Sequence, residues 1–227
     1  MSKQHRISMG FRNKAQLFRF LKATDIVCIN WDEINEFNER LIEIGCRVQK
    51  HLIVSNDMPV RDFVLDSFHI MKENKIIETL NNHGRSNEDV YYSWMLGYLI
   101  ETLFVPFIQK ELKLNTVIRT GGDDLKNPKT FKRVSNSDLS DPTQNIAVDV
   151  QCGIGEGVIT IKKSKVDFAV NNGYNGYVFT IGLGTGLYGV VNLNELQNAK
   201  FEKNSSWEGA LCWTAPNDIL KPWSKSI

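Results

Sequence analysis

The residue pattern of the chain changes near residue 115, and this change most restricts the fold that it can adopt. Before this point, hydrophobic residues recur at helical spacing, which predicts helices near 13–23, 31–53 and 60–81 and a longer helix beginning at Ser86. After it, short β-prone runs are separated by Gly, Asn, Asp and Pro. These runs predict strands at 116–119, 134–137, 145–152, 177–183 and 187–193, with one further helix at 161–171.

This order, helices followed by β-β-α-β-β, predicts an α/β (α+β) fold with a central mixed sheet flanked by helices. We expect a largely helical N-terminal region, 1–85, and a core, 86–227, that together form one compact domain. Ser86 is followed by Asp89 three residues later, a capping pattern that marks a helix N-terminus. Pro106, inside the same predicted helix, should kink it or start a new turn.

Composition restricts the compartment and the class of partner. Of the 227 residues 42% are hydrophobic, enough for a sizeable core. No apolar run reaches the ~18 residues of a membrane span, and residues 1–14 are polar and basic, so we expect no membrane segment and no secretory signal. The four cysteines form no CxxC pair, which is typical of reduced thiols in a cytoplasmic protein and argues against a zinc site. Because the net charge is only +1, DNA binding would have to depend on a local basic patch.

Two acidic residues in the β-rich part could converge on one metal ion. The predicted strand at 145–152 alternates, with Asp149 and Gln151 on one face and apolar residues on the other. Asp138 lies 11 positions before Asp149, beyond a turn rich in Ser, Asp, Pro and Asn. If the two segments form a hairpin, both carboxylates can reach the same point. A divalent metal that holds a phosphate needs such an arrangement of oxygen ligands.

A further acid, Glu101, occurs in an otherwise apolar stripe of the helix that begins at Ser86. The residues of this stripe follow one another at steps of three and four: Val90, Trp94, Gly97, Glu101, Phe104 and Ile108. An unpaired carboxylate in a core costs several kcal/mol, so Glu101 must have a partner or face a polar cavity. Either Glu101 reaches solvent or an arginine at the edge of the stripe, or it lies at the rim of the metal site.

These residues resemble the signature of the PD-(D/E)xK nuclease superfamily, to which many type II restriction endonucleases belong. In that signature an Asp after a short strand is followed by a turn and by a strand that carries acid-x-Lys. Asp138 matches the first acid, Asp149 the second, and Gln151 the position usually held by lysine. Some restriction enzymes with this core carry glutamine there. A long helix with a Glu before the motif and a basic helix after it are also common in the family, and they match Glu101 and residues 161–166.

The resemblance implies a core of the restriction-endonuclease-like type and a Mg²⁺-dependent type II site-specific deoxyribonuclease. Such an enzyme hydrolyses phosphodiester bonds of double-stranded DNA at a short recognition sequence and leaves 5′-phosphate ends. Asp138 and Asp149 would bind Mg²⁺, Gln151 would complete the motif, and Glu101 would be a further ligand or supporting acid. Because palindromic sites are usually cut by symmetric dimers, we expect a homodimer with the helical region at its interface. In length and in its general residue pattern, the chain is similar to the restriction enzymes that cut GANTC.

Basic residues near the motif are candidate contacts to DNA phosphates or bases. They comprise Arg85, the loop residues Arg119, Lys126, Lys129, Lys132 and Arg133, and the helix residues Lys162, Lys163 and Lys165. For the loop and for the helix, the alternative interpretation is a solvated surface. A cation from residues 162–165 could also replace the lysine that is missing at Gln151.

Two other functions are compatible with parts of the sequence. Residues 149–157 are similar to the glycine-rich first motif of S-adenosylmethionine-dependent methyltransferases, with Gln151 in place of a glycine. We expect the 70 residues after Gly157 to be too few for the remaining strands of that fold. The third possibility is a non-catalytic DNA-binding protein on a degenerate nuclease core. Gln151 favours this possibility because glutamine lacks the charge of the motif lysine.

Overall fold

The computed structural model describes residues 28–80, 85–120, 125–126, 137–153, 159–204, 209–215 and 219–225. The first three helices within these ranges are α1 (Trp31–His51), α2 (Val60–Glu73) and α3 (Asn87–Leu112). The start of α3 follows from its N-cap, because the Ser86 hydroxyl accepts a hydrogen bond of 3.0 Å from the Asp89 backbone N–H. This cap confirms the predicted start of the long helix.

The second helix ends earlier than the predicted range of 60–81. Lys75 adopts a left-handed backbone conformation with φ of 55°, which ends α2 just after Glu73, and a 3₁₀ turn, Ile77–Thr79, follows. Ile76 and Ile77 are fully buried, so apolar residues continue beyond the helix itself. The predicted helix was too long because apolar residues recur beyond Glu73, and this spacing indicates buried residues whether or not the backbone is helical. The predicted helix at 13–23 lies outside the described residues.

The long helix α3 is continuous through Pro106 and does not restart there. A proline cannot donate to the carbonyl four residues earlier, which in α3 belongs to Thr102. The side-chain amide of Asn56 donates to this Thr102 carbonyl at 3.2 Å and to the Leu103 carbonyl at 2.9 Å. A neighbouring loop therefore satisfies the acceptor that Pro106 leaves open.

A six-stranded mixed sheet forms the centre of the fold. Its strands are β1 (Ile118–Arg119), β2 (Leu139–Asp141), β3 (Ile146–Gly153), β5 (Asn175–Gly182), β6 (Leu187–Asn192) and β9 (Lys221–Pro222). They lie side by side in the order β1-β2-β3-β5-β6-β9. β3 and β5 are parallel, with α4 (Lys163–Asn171) between them in the chain, and the other described pairings of this sheet are antiparallel. A smaller antiparallel sheet consists of β4 (Thr160–Lys162), β8 (Ala210–Thr214) and β7 (Glu202–Asn204), in that order.

Helices cover both faces of the central sheet, as the α+β prediction requires. On one face, α3 packs against Val148, Phe179 and Ile181 in the larger hydrophobic cluster, which also includes residues of α1 and α2. On the other face, Val166 of α4 packs near Val178 in a second cluster, together with residues of β4 and β6. Alternate residues of β3 and β5 therefore face different layers. This alternation decides which polar side chains can meet.

Most of the predicted strands are present, although several short ones were missed. Five of the described elements begin and end within two residues of their predicted bounds: β1, β3, β5, β6 and α4. The sequence pattern did not predict β2, β9 or the three strands of the smaller sheet. Of the predicted strand at 134–137, only residue 137 is described, and it is not in a strand. Each missed strand has at most five residues, too few to show a clear alternation of apolar and polar side chains.

The C-terminal segment connects the helical region to the sheet. Trp223 is 4% exposed, and its indole N–H donates to the Gly182 carbonyl at 3.1 Å. Its backbone N–H donates to Gly186, and its carbonyl accepts from Ile53, just beyond α1. Trp223 therefore holds the C-terminal segment against the body of the protein. Among the described helices, none is both long and apolar enough to cross a membrane.

Candidate active site

The hairpin of β2 and β3 brings Asp138 next to the strand that carries Asp149. Leu139 of β2 pairs with Val148 of β3. Asp138 is the residue just before Leu139, and Asp149 is the residue just after Val148, so the two acids lie at the same level of this antiparallel pair. The Asp138 backbone N–H donates to the Val148 carbonyl at 3.1 Å, and the Asp138 carboxylate accepts from the Val150 N–H at 2.7 Å. This second bond fixes the orientation of the carboxylate. The two acids of the motif are therefore adjacent across the hairpin.

Asp149 forms a largely buried ion pair with a lysine of α4. The side chain of Asp149 is 6% exposed and that of Lys165 30% exposed, and Lys165 Nζ lies 2.5 Å from Asp149 Oδ1. Burial raises the pKa of Asp149 above its ordinary value, while the charge and hydrogen bond of Lys165 lower it and leave a net upward shift. Lys165 thus limits the cost of holding a carboxylate charge inside the sheet layer.

Two more polar side chains lie beyond Asp149 on the same face of the sheet. Gln151 pairs in register with Thr180 of the parallel strand β5, and both side chains are half-buried. The Thr180 hydroxyl oxygen is buried and has no hydrogen-bond partner among the described residues. The Gln151 amide likewise makes no hydrogen bond to another residue in the described part of the chain. Both groups retain unused hydrogen-bonding capacity near the Lys165–Asp149 pair.

Three lysines occupy the first turn of α4 and its N-cap. Lys162 is the N-cap residue, Lys163 pairs with Asp167 at 2.6 Å, and Lys165 pairs with Asp149. The first turn contains no acidic residue. Because the helix dipole disfavours cations at an N-terminus, this arrangement is unfavourable for the helix alone. A bound anion would relieve the repulsion.

Glu101 lies on the opposite side of the sheet from Asp149 and binds an arginine. Arg119 pairs with Leu139 on the face that packs against α3, and its Nη1 lies 3.0 Å from Glu101 Oε2. The other guanidinium nitrogen donates to the Thr102 hydroxyl, and the guanidinium carbon lies 4.6 Å from the centre of the Tyr98 ring. The arginine-paired alternative for Glu101 is therefore the observed one. The structure does not bring Glu101 together with Asp149.

The remaining predicted DNA contacts are spread over the chain. Arg85 precedes α3 and donates to the Asp89 carbonyl at 2.7 Å and to the Ser93 hydroxyl at 2.5 Å. Lys126 is exposed in a short turn. Lys129, Lys132 and Arg133 lie outside the described residues. Within the described part, Lys165 is the predicted basic residue that contacts the motif, through Asp149, and Lys162 and Lys163 lie near it at the start of α4.

The donor set of the motif restricts which metal it could hold. In the described ranges, no cluster of three or more His, Cys, Asp or Glu side chains could bind a metal ion. Asp138 and Asp149 provide two carboxylates. Mg²⁺ usually keeps several waters and binds proteins through one or two carboxylates plus substrate phosphates. These residues fit Mg²⁺ if water and phosphate oxygens complete its coordination.

No known family model, curated protein or solved structure matches this chain.

Proposed function

We propose that this protein is a Mg²⁺-dependent type II endonuclease that cuts double-stranded DNA at a short recognition sequence. The observation that carries this proposal is the ion pair between Lys165 and Asp149, beside Asp138 and on the same face as Gln151. It supplies a positive charge next to the motif, where the sequence has glutamine instead of the usual lysine. The sequence had indicated a replacement from residues 162–165, and the geometry favours Lys165.

The arrangement of elements supports the same proposal. A long helix precedes the acid-bearing hairpin, and a basic helix follows it and packs on the face that carries Asp149. This is the order that the resemblance to the PD-(D/E)xK superfamily leads us to expect. A restriction-endonuclease-like core, built from α3, the β1-β2-β3 strands, α4 and β5, is therefore part of the proposal.

Each residue of the motif would have a separate role in hydrolysis. When bound, Mg²⁺ would activate a water and neutralise charge at the phosphate. Asp138 and Asp149 would hold the ion, and the hydrogen bond from the Val150 N–H would keep Asp138 in position. Lys165 would compensate the negative charge that develops on the phosphate. Gln151 would donate a hydrogen bond, which glutamine can do without carrying a charge.

The lysines of α4 would also contact the DNA backbone. Phosphates near Lys162 and Lys163 would offset the unfavourable effect of cations at a helix N-terminus. Because phosphate contacts release counterions, binding should weaken steeply as salt is raised. A palindromic site would require two copies of the chain, and the helices α1 and α2 are the proposed dimer surface.

The sheet does not favour the methyltransferase alternative. That fold needs a mostly parallel sheet, whereas β3 and β5 form the one parallel pair among the described strands. The non-catalytic DNA-binding alternative uses the same surface and predicts binding without cleavage.

The proposal is tested by incubating the purified protein with plasmids that carry many short palindromes, including GANTC, in Mg²⁺ or in EDTA. We expect discrete fragments with ligatable 5′-phosphate ends in Mg²⁺ alone. Asp149→Asn should abolish cleavage, and Lys165→Met should reduce the rate by about 10²-fold, as expected when charge stabilisation at the reacting group is lost. Lys200→Met, the same substitution at an exposed surface lysine, is the matched control and should cleave normally.

Three results would contradict the proposal. Methyl transfer from labelled S-adenosylmethionine without cutting would establish the methyltransferase alternative. Metal-independent DNA binding without cleavage of any plasmid would establish the non-catalytic one. Equal cleavage by the wild type and Asp149→Asn would place the activity elsewhere in the protein.

A further inference from the structure

The Thr180 hydroxyl oxygen is buried and has no hydrogen-bond partner among the described residues. An unpaired buried hydroxyl is unfavourable compared with a methyl group of the same shape. Valine would keep the β-branched shape that suits a strand and would avoid this cost. The hydroxyl therefore needs an explanation other than the stability of β5.

The neighbours of Thr180 on its face of the sheet identify a possible partner. Along β5, the neighbouring positions on this face are Val178 and Gly182. On β6, Thr180 pairs with Gly189, where an added Cβ would lie 2.2 Å from Ile159 Cδ1. On β3, it pairs with Gln151. Of these four neighbours only Gln151 has a polar side chain, and adjacent strands lie about 4.8 Å apart.

Gln151 needs such a partner more than a lysine would. A lysine presents donors whichever way it rotates, whereas a glutamine amide has a donor end and an acceptor end that can exchange places. A glutamine in the lysine position must be held in one orientation to donate to a phosphate. A hydroxyl that donates its proton to the amide oxygen would leave the NH₂ group free to donate to the phosphate.

We propose that Thr180 is a positioning residue, whose hydroxyl hydrogen-bonds the Gln151 amide in the DNA complex and directs it towards the scissile phosphate. This inference rests on the proposed nuclease function. It extends the site to β5, a strand that carries no residue of the sequence motif. It also gives the unpaired hydroxyl of the free protein a role that appears when DNA is bound.

The test compares single-turnover cleavage, DNA affinity in EDTA and thermal stability for Thr180→Val and Thr180→Ser. Thr180→Val should cleave at least 10-fold more slowly, bind DNA within 2-fold of the wild type and have an equal or higher Tm. Thr180→Ser keeps the hydroxyl and should retain more than half of the cleavage rate. Thr214→Val, at an exposed strand position of the smaller sheet, is the matched control and should change none of the three quantities.

A second arm tests whether Thr180 acts through Gln151. In the Gln151→Ala background, Thr180→Val should change the remaining cleavage rate by less than 2-fold. An equal loss in both backgrounds, or a loss below 2-fold in the wild-type background, would overturn the inference while leaving the nuclease proposal intact. A lower Tm for Thr180→Val would show that the hydroxyl stabilises the fold, which also contradicts it. If the wild type cleaves no DNA, the proposed function fails first, and this inference fails with it.

Discussion

Replacing Lys165 by methionine would leave the Asp149 carboxylate inside the protein without its positive partner. Asp149 is 6% exposed, and Lys165 Nζ, 2.5 Å from Asp149 Oδ1, is the one cation that the structure pairs with it in the described ranges. Methionine has a similar length and fills the space of the lysine stem. The substitution therefore removes the charge while changing the packing little.

The expected loss of stability follows from the burial of the two side chains. Removing one partner of a fully buried ion pair costs about 3–5 kcal/mol. Because Lys165 is 30% exposed, water can partly solvate the site, and we expect a loss of about 2–3 kcal/mol at pH 7. In a domain of this size each kcal/mol lowers Tm by about 2–4 °C, so Tm should fall by about 4–12 °C.

The loss should depend on pH. Burial already raises the pKa of Asp149, and without Lys165 this pKa should rise further. A pKa that is higher in the folded than in the unfolded protein means that the folded protein binds the proton more readily. Stability is then fully present below the unfolded pKa of about 3.9 and is lost as pH rises through the folded pKa. The deficit of Lys165→Met should therefore be largest at neutral pH and small near about pH 4.

Urea unfolding of the wild type and the variant at several pH values measures this deficit. Lys163→Met is the control, because its pair with Asp167 is 44% and 49% exposed and should contribute less than about 1 kcal/mol. The double variant Asp149→Asn/Lys165→Met should recover most of the lost stability, since no buried charge remains. A Lys165→Met deficit no larger than that of Lys163→Met, or one that is constant between pH 4 and pH 8, would refute the argument.

Two further predictions concern residues that hold the fold together. Trp223→Ala removes the buried ring that packs on Phe104 of α3 and donates to the Gly182 carbonyl of β5. It should lower the free energy of unfolding by about 3–5 kcal/mol, measured by urea titration, and an unchanged midpoint would show that this ring is dispensable. Burial acts to raise the pKa of Asp141, but hydrogen bonds from Thr143, Thr116 and Asn115 outweigh it and lower this pKa. The stabilisation from this carboxylate is present above its unfolded pKa and is lost as pH falls below it, so Asp141→Asn should be less stable than the wild type at neutral pH. Thermal unfolding across pH checks this, because the difference between the two proteins should shrink in acid.

The sequence by itself determined the local elements, because the signals for them act over a few residues. The cap at Ser86 and Asp89 marks the start of α3, and the alternation of 145–152 predicts a strand that became β3. The turn between Asp138 and Asp149 predicts the hairpin that makes these acids neighbours. Each of these features depends on residues that are close in the chain.

Tertiary structure decided which distant side chains meet. The pair of Asp149 and Lys165 spans 16 residues and depends on where α4 crosses the sheet, and the pairing of Gln151 with Thr180 depends on the register of β3 and β5. Glu101 forms an ion pair with Arg119, and not a site with Asp149, because α3 covers the face of the sheet opposite Asp149. Sequence periodicity identifies the two faces of an element, but it does not reveal what will cover each face. The packing of helices on the sheet fixes that, and with it the composition of the candidate site.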